Sequence, residues 1–182
     1  MAPERVLVVY ASDQGSTREI ADFIGMQLRV SGFAVDVRVA GEQPDASGYD
    51  AVVLGSAVHD RALLASAERF ARRNAEVLRA RPVWLFTVGI GPSLRGPVGG
   101  LLRRMVPPKI ARVRDLLAPR DYHAFAGVVS RSAFSAASRA VLELCGGRYG
   151  DLRDWRVIGS WAAGIAADLR AVGPVRPGGG SR

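Results

Sequence analysis

Apolar and polar positions along this chain alternate between two rhythms, one suited to strands and one to helices. Val6-Leu7-Val8-Val9-Tyr10 is a continuous apolar run, as expected of a strand covered by helices on both faces. Ser16-Thr17 then opens a stretch whose apolar positions Ile20, Phe23, Ile24 and Leu28 recur at helical spacing, and Ser31-Gly32 stops it. Val35-Asp36-Val37-Arg38-Val39 alternates and suits an edge strand. A turn-rich link from Gln43 to Tyr49 leads, through Asp50, into a third buried strand, Ala51-Val52-Val53-Leu54-Gly55. A second helix is predicted from Leu64 to Arg79.

Pro82-Val83-Trp84-Leu85-Phe86-Thr87-Val88-Gly89 reads as the fourth strand, with proline tolerated at its first position. A loop rich in proline and glycine spans Ile90 to Pro108, with a short helix expected around Leu101-Leu102-Arg103 and a second helical piece from Ile110 to Leu117. Tyr122 to Val129 reads as strand five, and helices at Ser135–Leu144 and Asp154–Ala171 close the chain. The predicted fold is α/β: a doubly wound, five-stranded parallel sheet of order 2-1-3-4-5, with right-handed crossovers and helices on both faces. In such sheets ligands sit beyond the carboxyl ends of the strands, where the chain order reverses. Function is therefore expected in the loops after strands one, three and four.

Composition changes this picture little. At 182 residues, with 48% hydrophobic and 23% charged residues, the chain suits one domain over 1–172, followed by a Gly/Pro-rich tail at 173–182 expected to be disordered. No apolar run approaches the roughly 18 residues that a membrane span needs. Met1-Ala2-Pro3-Glu4 does not open a leader pattern, so the protein is expected to be cytoplasmic. Cys145 stands alone in an apolar pattern, which excludes an internal disulfide or a cysteine metal cluster and suggests a buried, inert thiol. No metal site is expected.

The net charge is +8, and all basic residues except Lys109 are arginine. This excess reads either as attraction to an anionic surface, including peripheral contact with the inner membrane, or as a composition bias without a binding role. The arginines are not interleaved with aromatics, so nucleic acid is not expected as a partner. Arg95, Arg103 and Arg104 lie in the long loop, where they would meet substrate carboxylates or lipid headgroups if that loop serves as a lid.

The chemistry is expected between strand one and helix one, in Ser12-Asp13-Gln14-Gly15-Ser16-Thr17. A helix N-terminus presents unpaired N–H groups and the positive end of the helix dipole, so it accepts a phosphate. Ser12, Ser16 and Thr17 add hydroxyls, and Gly15 permits close approach. Taken alone, the hexapeptide fits a polar turn with an ordinary Ser/Thr cap equally well. Neither G-x-G-x-x-G nor G-x-x-x-x-G-K-[ST] follows Tyr10. Strand three ends Leu54-Gly55-Ser56, without the aspartate a phospho-accepting receiver domain needs.

With its flanks included, Val8 to Ala21 resembles the FMN-phosphate signature of flavodoxins. Tyr49-Asp50-Ala51-Val52-Val53-Leu54-Gly55-Ser56-Ala57-Val58-His59 resembles the third strand and first ring loop of the flavodoxin-type, menaquinone-dependent protoporphyrinogen oxidases. Gly146-Gly147, Asp151, Arg153-Asp154-Trp155 and Trp161-Ala162 resemble that group's C-terminal segment. The resemblance implies that FMN is held at its phosphate by Ser12, Asp13, Gln14, Gly15, Ser16 and Thr17. Its ring would be flanked by Ser56, Ala57, Val58 and His59 on one side and by Thr87, Val88, Gly89, Ile90 and Gly91 on the other. Many flavodoxins stack an aromatic side chain on the flavin, whereas these two loops offer only His59. Trp84, Trp155 and Trp161 read as packing residues.

Two functions follow from the resemblance. One is a flavin-dependent oxidoreductase, passing electrons from an organic, protoporphyrinogen-like substrate to a quinone. The other is an electron carrier that binds FMN and a redox partner protein without substrate chemistry of its own. A relative that binds a deazaflavin, or has lost its cofactor, is a third course. No side chain is identified as catalytic, which fits chemistry carried by a cofactor. Arginines gathered near the ring would raise its one-electron potential by roughly 20 mV per charge at about 10 Å.

Overall fold

In the computed structural model, residues 4–94, 100–101, 105–131, 135–144 and 146–172 are described. The expected lid arginines Arg95, Arg103 and Arg104, the thiol of Cys145 and the tail at 173–182 lie outside them. Of the helix expected around Leu101-Leu102-Arg103, only Leu101 is described, and it is helical.

Five parallel strands form the sheet: β1 (Arg5–Ala11), β2 (Ala34–Val39), β3 (Ala51–His59), β5 (Val83–Gly89) and β6 (Asp121–Ala126), in the order β2-β1-β3-β5-β6. A two-residue strand, β4 (Ala62–Leu63), folds back antiparallel on the end of β3. With β4 set aside, the order is the expected 2-1-3-4-5. The reversal lies between β1 and β3, whose register places Ala11 beside Ser56, while Ala57 pairs with Val88 of β5.

The continuous apolar strands have the cause that their pattern suggests. Val6 and Val8 join Val53, Trp84 and Phe86 under α1 (Ser16–Val30) and a C-terminal helix, Trp155–Val172. Leu7 and Val9 join Val52, Leu54 and Leu85 on the opposite face. There they are covered by α2 (Ala65–Arg73), α3 (Ala75–Arg79) and α4 (Pro108–Leu117). Val6 through Val9 are all fully buried, and burying each large aliphatic side chain contributes about 1.5–3 kcal/mol. Trp84 is core, and Trp161 packs edge-on against Phe86.

Three expectations need correction. The helix expected over Leu64–Arg79 is two helices broken at Asn74, whose buried amide donates to the Phe70 carbonyl (3.0 Å) and accepts the Ala46 N–H (3.2 Å). A side chain recruited to tie down a loop no longer continues the helix surface.

Strand three does not stop at Gly55 but runs to His59, because β4 pairs with Val58 and His59. The connecting turn holds Asp60 (φ 48°) and Arg61 (φ 60°) in the left-handed region, which two-residue hairpins usually fill with Asn-Gly.

Strand five ends at Ala126. Beyond Gly127 the chain leaves the main sheet as β7 (Val128–Val129) and pairs antiparallel with β8 (Gly150–Asp151). Helix α5 (Ala136–Leu144) lies between these two short strands, and α6 (Trp155–Val172) follows. The Asp154 carboxylate accepts the N–H groups of Arg156 and Val157, capping α6.

Candidate functional site

Three walls meet at the carboxyl ends of β1, β3 and β5. The first is the turn into α1. Ser12 Oγ accepts the Gly15 N–H at 3.0 Å, and Gly15 adopts φ 92°, open to glycine at no steric cost. No side chain caps α1, so the N–H groups of Ser16, Thr17 and Arg18 face outward for an external acceptor. The Thr17 side chain is fully buried, and its Oγ1 has no hydrogen-bond partner. A buried hydroxyl without a partner costs free energy. Here it sits beside an uncapped helix terminus, where an oxyanion would satisfy both the hydroxyl and the N–H groups.

The second wall is the end of β3 with its hairpin turn, and beside it lies the end of β5. Together with the first wall they enclose a cleft of about 360 Å³, lined by Asp13, Gln14, Ser16 and Thr17, by Ala57, Val58, His59 and Asp60, and by Val88, Gly89 and Ile90. Ser56 lies apart: its buried hydroxyl accepts the Leu64 N–H at 3.0 Å and donates to the Ala57 carbonyl at 2.8 Å, pinning the hairpin. Ser12 is committed to the turn. Thr87 and Gly91 face a neighbouring crevice.

The third wall has no counterpart among the residues expected from sequence. Gly127, Val128, Val129 and Ser130 close the cleft opposite the first turn of α1. A Cβ on Gly127 would lie 2.9 Å from Val88 Cγ1 and 3.3 Å from Ser16 Oγ, so only glycine passes here without displacing them. The wall is held from behind. Leu152 N–H donates to the Gly127 carbonyl at 3.2 Å. Arg153, with a side chain only 9% exposed, bonds Asp151 at 2.6 Å and reaches Glu19, in the first turn of α1, at 2.5 Å. Its guanidinium also lies 4.7 Å from the Trp155 ring centroid. The hydrogen bond to Asp151 holds the Arg153 pKa above its ordinary value, and the bond from Arg153 lowers that of Asp151.

Among the described residues, no arginine or lysine lines this cleft. Its ionisable side chains among the described residues are Asp13, His59 and Asp60. Two further hollows lie nearby. An apolar crevice of about 270 Å³ shares Val58, Gly89 and Ile90 with the cleft. An open cleft of about 760 Å³ lies beyond β6 and β8, lined by His123, Arg148, Arg156 and Trp155 among others, and shares no lining residue with the phosphate turn. Burial lowers the His123 pKa, partly offset by Asp121.

The model of one domain family, described as a flavodoxin domain, matches residues 7–145. Protoporphyrinogen IX dehydrogenase (quinone) of Escherichia coli K12 is 26% identical over 88 residues, which cover 47% of this chain and 49% of that protein. The chain thus spans about half the length of the curated relatives it matches. An archaeal flavodoxin superposes with a TM-score of 0.54 at 16% identity, covering 90% of this chain and 99% of that one. Rubredoxin oxygen:oxidoreductase of Desulfovibrio gigas superposes with a TM-score of 0.58 at 15% identity, covering 93% of this chain and 37% of the other. At these identities the superpositions speak for the fold. No helix among the described residues is long and apolar enough to cross a membrane.

Proposed function

The chain belongs to the flavodoxin-domain family and binds FMN, and from that premise we propose that it is an FMN-dependent oxidoreductase passing electrons from an organic, protoporphyrinogen-like reductant to a quinone. The cofactor reading is supported by the uncapped start of α1 together with the unpartnered Thr17 hydroxyl, which suit a phosphate monoester. Bound FMN supplies the two-electron chemistry. The chain's own task is to hold the phosphate at Ser16 and Thr17, flank the ring with Val58–His59 and Gly89–Ile90, and close the far side with Gly127–Ser130.

The observation that carries an enzyme over a pure carrier is the space beside the ring. The cleft shares a boundary of Val58, Gly89 and Ile90 with a second crevice. Among the described lining residues, no aromatic ring other than His59 is available to cover the flavin face. A carrier needs only an exposed edge, whereas an enzyme needs room for a second reactant.

The test is to purify the chain, record its visible spectrum with and without FMN, and assay anaerobic protoporphyrinogen oxidation with a menaquinone analogue. FMN-dependent turnover is the expected result. A yellow protein without turnover would favour a carrier, and a protein that takes up no FMN would remove the premise.

A further inference from the structure

Beside the flavin cleft, on the face covered by α4, lies the crevice that shares Val58, Gly89 and Ile90 with it. Its far side is apolar: Val106, Pro107 and Ile110. At its floor Thr87, on β5, meets Tyr122, on β6, with Oγ1 and the phenolic oxygen 2.9 Å apart. Their pairing follows from the parallel register, in which Leu85 lies beside Tyr122 and Thr87 beside Ala124.

We propose that this crevice is the binding site of a neutral quinone, one of whose carbonyl oxygens is held by the Thr87–Tyr122 hydroxyl pair while its ring lies between Ile90 and α4. The proposal rests on the FMN reading above and names where the second reactant sits.

Three properties of the crevice select this class of ligand. Two hydroxyls in contact share one hydrogen between their oxygens, which leaves the other hydrogen free for an outside acceptor; a quinone carbonyl is such an acceptor. The same oxygens keep lone pairs, so the O–H of the corresponding hydroquinone finds an acceptor at the same place. One polar pair therefore serves both redox states.

Charge selects as well. Apart from the tyrosine, Arg61 at the hairpin turn is the ionisable side chain lining the crevice among the described residues. A neutral ring suits this largely apolar lining of Val58, Ile90, Val106, Pro107 and Ile110 better than a charged ligand does. The volume, about 270 Å³, falls near the small end of ligand sites, about 300 Å³, and suits a bicyclic ring more than a macrocycle.

The probe is 2,3-dimethyl-1,4-naphthoquinone, whose fully substituted quinone ring does not add thiols, so that Cys145 is not alkylated. Its binding to the oxidised, FMN-loaded chain is measured by equilibrium dialysis, and flavin occupancy is read separately from the visible spectrum. Tyr122→Phe is expected to weaken quinone binding about three- to tenfold, and Ala124→Leu, which fills the crevice from β6, is expected to abolish it. Neither change should alter FMN occupancy. Should Ala124→Leu fail to fold, Tyr122→Phe alone decides. Quinone affinity that is unchanged in a folded, FMN-loaded Tyr122→Phe variant, or no quinone binding by the wild-type chain, would overturn the proposal. Absence of flavin uptake would instead strike the cofactor reading and is visible before any quinone is added.

Discussion

Thr17→Val separates a structural threonine from a ligand-binding one. In the chain without cofactor, the Thr17 hydroxyl is buried and unpartnered, a condition that costs about 1–3 kcal/mol. Valine has nearly the same shape and no such group. The variant without cofactor should therefore be more stable than wild type by about 1 kcal/mol, or roughly 2–4 °C in Tm for a domain of this size. With FMN present the sign reverses. A hydroxyl donating to a phosphate oxygen is a hydrogen bond to a charged group, worth about 1.5–3 kcal/mol. FMN affinity should fall roughly 10- to 150-fold at 1.4 kcal/mol per factor of ten.

The assay is a pair of calorimetric titrations, with FMN and with riboflavin, alongside thermal unfolding without ligand. Riboflavin has the same ring but no phosphate, so its affinity should not change. A variant that is destabilised without ligand, or that loses riboflavin and FMN equally, would refute the argument, since either result assigns Thr17 to packing.

Two further outcomes follow from the third wall and the sheet edge. Arg153→Gln should destabilise the chain by roughly 1–2 kcal/mol, because its carboxylate partners are about half exposed and each pair counts as a surface one. Its larger effect should be on FMN affinity and on amide hydrogen exchange at 127–130; exchange there equal to wild type would show that Arg153 does not hold the wall. His123, whose pKa is lowered by burial and partly restored by Asp121, titrates lower in the folded chain than in the unfolded chain. As pH falls through the unfolded value, about 6.5, the unfolded chain takes up the proton first and stability drops. Above that value His123 adds no pH dependence. His123→Phe should therefore flatten the denaturation midpoint between pH 7.5 and 5.5, and an unchanged slope would assign it to other groups.

The sheet and its order were readable because burial on both faces leaves continuous apolar runs such as Val6–Val9 and Ala51–Leu54, and because α1 repeats its buried positions Ile20, Ile24 and Leu28. The turn before α1 was readable because hydroxyls and a glycine at a helix start have a chemical meaning of their own. What local pattern could not convey is pairing across distance. Nothing in Val128-Val129 tells that these residues leave the sheet; that depends on Gly150–Asp151 and on Arg153, which pairs with Asp151 and with Glu19, far away in sequence. The one local signal was Gly127 itself, standing inside an otherwise strand-like run, where glycine often marks close approach of another part of the chain.

The same distinction explains the hairpin after β3. Asp60 and Arg61 both take left-handed conformations that residues with a Cβ resist, at a cost of order 1 kcal/mol each. No propensity would have placed that turn there. Its consequence is a division of labour: Asp60 lines the cleft at the start of α1 and Arg61 lines the adjoining crevice. A glycine pair would make the turn more easily but would leave both compartments without these side chains at the boundary they share. The strain is maintained because Ser56 clamps Leu64 from beneath and Val58 pairs with Leu63, so the hairpin is a fixed partition between the two compartments.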